Sequence, residues 1–93
     1  MPKYVEDKVS GYILYFISKC VVEAMHVHAS DRKMSEEGSA KLFVYSNGDT
    51  KVMRYGKVSE RDMVDIQKYI KNNYEVMYKR WRKHSNNGYY DKR

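Results

Sequence analysis

Short apolar runs separated by polar breaks fill the first half of the chain; a repeat at steps of three and four takes over in the second. Gly11-Tyr12-Ile13-Leu14-Tyr15-Phe16-Ile17-Ser18 is a continuous β-branched and aromatic run. Apolar side chains on both of its faces predict a strand near the middle of a sheet. Met25-His26-Val27-His28-Ala29 alternates, which puts Met25, Val27 and Ala29 on one face of a strand and both histidines on the other. Residues 31–39 are polar and read as a loop. Lys41 to Ser46 and Asp49 to Tyr55 flank Asn47-Gly48, the signature of a hairpin closed by a two-residue type I′ turn. That turn sets Ser46 opposite Asp49, Phe43 opposite Val52 and Leu42 opposite Met53. One face would then carry Leu42, Val44, Met53 and Tyr55, and the other Phe43, Tyr45 and Val52 with Lys41 and Arg54.

Ser59 stands before Glu60-Arg61-Asp62, a capping-box variant with Asp at the third helical position. Met63, Ile66, Ile70, Tyr74, Met77 and Trp81 follow as an apolar stripe along one helix face. Asn72-Asn73 is the weak point, where a kink or a split is predicted. Ser85-Asn86-Asn87-Gly88 ends the helix. The order ββββα predicts an α+β fold, a small antiparallel sheet of about four strands with a C-terminal helix packed on one face. One domain spans residues 1–93, compact over about 4–85, with a mobile basic tail at 86–93.

Composition adjusts this picture. Leu, Ile, Val and Phe number only 18 of 93 residues, a share that borders on that of disordered chains. Ten Tyr, six Met and one Trp supply apolar area in their place, so the predicted core is thin but patterned. The start, Met1-Pro2-Lys3-Tyr4-Val5-Glu6-Asp7-Lys8, has no apolar core of a signal peptide, and no stretch is long enough for a membrane span. With Cys20 as the single cysteine, no internal disulfide or multi-cysteine zinc site can form, and a cytoplasmic location is expected. Cys20 itself, beside Val21 and Val22, reads as an inert, partly buried thiol.

Charge is concentrated. The net charge is +6, and residues 79–93 carry six basic side chains against Asp91 alone, so +5 of it lies there. Lys79, Arg80, Arg82 and Lys83, interleaved with Tyr78 and Trp81, suit a phosphate backbone and make these four the candidate RNA- or DNA-binding residues. The plain alternative is a solvated helix end, where cations also complement the helix dipole. Trp81 continues the apolar stripe and reads as core.

His26 and His28 are the candidate catalytic pair. Side chains two apart on a strand point the same way with Cα atoms roughly 6.5–7 Å apart, which suits an acid–base pair or two ligands of one metal. Glu23, Asp31 and His84 are the further ligand candidates, none at diagnostic spacing, so no metal and no cofactor is expected. The competing reading is a half-exposed strand face whose histidines meet the backbone, the loop or a partner. No P-loop, G-x-G-x-x-G, H-E-x-x-H or G-x-S-x-G is present, and nothing in the residues compels an enzyme.

Gly11-Tyr12-Ile13-Leu14-Tyr15-Phe16, His26-Val27-His28, Ala40-Lys41-Leu42-Phe43-Val44 and the helical Trp81, in that order, resemble the bacterial domain-of-unknown-function family 4160. The resemblance covers roughly Tyr4 to Tyr90. Many relatives carry Pro-Pro or Glu-Pro just before the histidines; Glu23-Ala24-Met25 stands here, which bears on the turn entering that strand. The resemblance implies no particular reaction. It implies a bacterial two-gene, toxin–antitoxin-like setting with a small partner protein from a neighbouring gene, and contact with RNA or DNA. Two function classes follow: a non-enzymatic interaction module, or a small nuclease using His26 and His28. A single helix covers one sheet face, so a second copy of the chain is a further candidate partner for Phe43, Tyr45 and Val52.

Overall fold

The computed structural model describes residues 3–17, 22–31 and 38–91. Four antiparallel strands, β1 (Ile13–Tyr15), β2 (His26–Ser30), β3 (Ala40–Val44) and β4 (Thr50–Arg54), form one sheet in the order β1-β2-β3-β4. A single helix, α1 (Glu60–Arg82), follows. This is the α+β architecture that the alternation of patterns predicts. No helix among the described residues is long and apolar enough to cross a membrane. The reading of Cys20, and most of the loop at 31–39, fall outside the described residues.

Ser59 caps α1: its Oγ accepts from the Asp62 N–H at 3.1 Å, and Glu60 and Asp62 place negative charge at the positive end of the dipole. Met63, Ile66, Ile70, Met77 and Trp81 are its buried residues, packed in one cluster with Leu14, Val27, Ala29, Leu42 and Val44. The helix runs through Asn72-Asn73 without the predicted break. Asn73 Nδ2 donates to the Tyr69 carbonyl at 2.8 Å, one turn back, so this side chain bonds along its own helix instead of competing with it.

Two strand expectations need correction. The aromatic run forms an outer strand of the sheet, not a middle one. Its two-sided burial has another source: Leu14 joins the core, Tyr15 packs against His28 at 5.6 Å, and the N-terminal segment lies along it, with Tyr4 N–H on the Leu14 carbonyl at 2.9 Å and Lys3 bridging Tyr15.

The hairpin register is shifted by one. Tyr45 N–H donates to Asp49 O at 2.8 Å, and Gly48 N–H donates to Tyr45 O at 2.9 Å, closing a three-residue loop over Ser46-Asn47-Gly48 with Gly48 at φ +90°. Leu42 therefore faces Val52, Phe43 faces Lys51 and Val44 faces Thr50. A one-residue shift swaps faces, so Val52 joins the side of Leu42. A bulge between Lys41 and Leu42 then leaves Met53 as the extra residue, 49% exposed. The helix holds this turn: Lys71 Nζ donates to Asn47 O at 2.8 Å and to Asp49 Oδ1 at 2.9 Å, and the Tyr74 ring backs Gly48.

After α1 the chain returns across the ends of β2 and β3. Trp81 Nε1 donates to Asn87 O, Met25 N–H to Gly88 O and Tyr90 N–H to Val44 O, at 2.8, 2.9 and 2.8 Å. Tyr89 stacks on Tyr78 at 3.9 Å, and Tyr90 on Phe43 at 4.0 Å. Tyr90, within the segment read as a tail, thus covers Phe43 from within the same chain.

Candidate functional site

Neighbouring strands bring the two histidines face to face with Phe43 and Tyr15: His26 pairs with Phe43 and His28 with Tyr15 in the sheet registers. Their rings are 5.1 Å apart and nearly perpendicular. Both side chains are fully buried, which differs from a half-exposed strand face. The rings sit in an aromatic network. His26 contacts Phe43 at 5.4 Å and Trp81 at 5.6 Å, and the Tyr4 hydroxyl donates to the His26 carbonyl at 2.7 Å. Nδ1 of His26 lies 2.8 Å from the Ala24 carbonyl, and Nδ1 of His28 lies 3.2 Å from that of Ala40 and 3.3 Å from Ser39 Oγ. Burial, with His26 as the next cause, pushes the His28 imidazole down to about 4, so it is neutral at pH 7.

These contacts are those of histidines built into a core. Neither ring meets solvent. Of the further ligand candidates, Glu23 is engaged with Lys41 at 2.9 Å, and His84 sits edge-on to Phe16 at 5.4 Å. Among the described residues no group of three or more His, Cys, Asp or Glu is placed to hold a metal ion.

The basic end of α1 has the opposite character. Lys79, Arg80, Arg82 and Lys83 are all exposed around the buried Trp81. They do not form one patch. Arg82 turns to its own turn of chain: it donates to the Tyr78 hydroxyl at 2.9 Å and the Ser85 carbonyl at 3.2 Å, with its guanidinium 5.7 Å from the Tyr78 ring. Arg80 and Lys83, three apart and so on one helix face, meet Lys3 and His84 around a cleft of about 340 Å³ floored by Phe16. Lys79 lies outside that cleft. The larger hollow, about 520 Å³ between the hairpin turn and α1, has Lys71 compensated by Asp49 and offers no uncompensated cluster.

Sequence reasoning named Arg80 and Lys83 but missed Lys3 and Phe16. The spacing Arg80, Lys83, His84 is one helical face and was readable; Lys3 arrives through its bridge to Tyr15, a contact no local pattern announces.

The fold and these two clusters define a small α+β protein with a sealed histidine pair and an open basic end. A family model described as a domain of unknown function, DUF4160, matches residues 11–82, and the chain belongs to that family. No curated protein and no solved structure matches it.

Proposed function

We propose that this protein is a non-enzymatic interaction module that contacts nucleic acid through the basic end of α1. The observation that carries the reading is the exposure of Lys79, Arg80, Arg82 and Lys83 around the last turn of α1, with Arg80 and Lys83 beside Lys3, while His26 and His28 lie sealed in the core. Exposed cations gain affinity by releasing counterions from a phosphate backbone, and this needs no catalytic group. A titration of RNA and DNA binding against salt tests it. Affinity should fall linearly on logarithmic axes, and replacing the four cations by Gln should lower the slope by about 3. Absence of binding at low salt, or an unchanged slope in the variant, overturns it.

A small partner protein, in the two-gene arrangement that the family resemblance implies, completes the reading. The outer side of β4 supports it: no described strand pairs there, and Met53 and Tyr55 are 49% and 43% exposed. Co-purification with the neighbouring gene product tests this half, and recovery of no partner defeats it. The nuclease reading on His26 and His28 finds no support in their geometry, because neither ring is open to a substrate.

A further inference from the structure

We propose that the cleft formed by Lys3, Arg80, Lys83 and His84 receives a terminal phosphate, the monoester at the end of a nucleic-acid strand. The inference rests on the nucleic-acid reading above and names the part of the ligand that the cleft takes.

Charge is the first argument. Lys3, Arg80 and Lys83 bring three cations to one concavity, with the His84 ring beside them and no carboxylate among the described lining residues. The ion pairs among the described residues are Lys41–Glu23 and Lys71–Asp49, so these three cations are not compensated from within the described fold. A phosphodiester carries one negative charge, whereas a phosphate monoester carries about −1.5 to −2 at neutral pH. Three converging cations match the monoester better.

Preorganisation is the second. Lys3 is tied to the sheet edge by its bridge to Tyr15 and by the adjoining Tyr4 N–H on Leu14 O. Arg80 and Lys83 stand on the last turn and cap of α1, fixed by the buried Trp81, whose ring meets Phe16 edge-on at 5.1 Å. Phe16 is fully buried and touches the His84 ring at 5.4 Å, so the floor is rigid and the imidazole is held at the rim. The backbone positions that carry the cations are therefore set before a ligand arrives, which confines the ordering cost to the side chains themselves.

The negative pole of the helix, worth about half a charge, is outweighed here by three cations. Arg80 O accepts from Lys83 N–H, and Trp81 O accepts from His84 and Ser85 N–H, so these terminal carbonyls are engaged. A volume of about 340 Å³ accommodates a phosphate with its sugar, and the match of three cations to a doubly charged group favours a strand end.

The test compares single strands of one sequence ending in a 5′-phosphate, a 3′-phosphate or hydroxyls only, by fluorescence anisotropy at fixed salt. One phosphorylated form should bind about tenfold tighter than the hydroxyl form, the scale of one strong charge-assisted contact. Arg80→Gln with Lys83→Gln should abolish that preference. Lys79→Gln should weaken all three strands alike and keep the preference. Equal binding of the three ends, or a preference that survives Arg80→Gln with Lys83→Gln, overturns the cleft assignment and leaves the nucleic-acid reading standing. No binding of any strand overturns both. All three positions are exposed, and unchanged circular dichroism separates lost contacts from lost fold.

Discussion

The Tyr90 ring lies nearly parallel to that of Phe43, with centroids 4.0 Å apart and planes 17° from each other. Phe43 is 7% exposed because of a residue 47 positions later in its own chain. Tyr45 adds an edge contact to Tyr90 at 5.7 Å, and Lys51 places its ammonium 5.8 Å from the same ring. Tyr90→Ala should therefore destabilise the fold by about 1–3 kcal/mol, the scale of a lost aromatic pair plus its buried area. Tyr90→Phe should keep most of the stability. Urea unfolding of the two variants measures the difference, and an unaltered midpoint in Tyr90→Ala would show that the stack adds nothing.

Acid should weaken the fold through His28. Its pKa is lowered from an ordinary 6.5 to about 4, chiefly by burial and next by the neighbouring His26. Between those values the unfolded chain binds a proton that the folded chain does not, so stability rises with pH across this window. The contribution of neutral His28 is fully present above 6.5 and is lost as pH falls towards 4. Its size is bounded at about 3 kcal/mol. Unfolding midpoints collected from pH 7 to pH 4 should fall steadily, and His28→Gln should flatten the lower part of that curve relative to the parent chain.

The elements themselves were legible because their patterns are local. Ser59 with Asp62 marked the start of α1, and Met63 to Trp81 marked its buried face. The hairpin register was not legible, because Asn47-Gly48 suits both a two-residue turn and the three-residue loop found here. Lys71 and Tyr74 on the distant helix are the groups that hold the longer loop. The placement of the first strand and the burial of the histidines escaped for the same reason. Lys3, Tyr4 and Tyr90 supply the cover, and none of them is adjacent in sequence to what it covers.

Two glycines at turns should differ in what replaces them. A Cβ at Gly56, with φ +58°, would lie 2.6–2.7 Å from the backbone of Gly38, Ser39 and Ala40. Backbone cannot move aside without displacing the entry to β3. At Gly48, with φ +90°, the nearest atoms belong to the side chains of Tyr74 and Lys71, at 2.6 and 3.2 Å, which can rotate. Gly56→Ala should therefore cost more than Gly48→Ala, with both exceeding about 1 kcal/mol from the positive φ alone. Thermal unfolding of the pair gives the ranking, and an equal loss in both would contradict the steric account.

Replacing the histidines should separate structure from function. His26→Ala removes a ring that contacts Phe43 and Trp81, and His28→Ala removes one that contacts Tyr15 and leaves Ser39 Oγ beside a void. Each variant should lose about 2–4 kcal/mol of stability, as for other large-to-small changes at fully buried positions. Both rings are sealed in the core while the cations are exposed, so below their unfolding temperatures both variants should still bind nucleic acid, with the parent's salt slope in His28→Ala, whose ring does not pack on Trp81. Anisotropy titrations at low temperature measure this directly. A nucleic-acid cleavage activity that is present in the parent chain and absent from both folded variants would instead return His26 and His28 to a chemical role, and with it the nuclease reading.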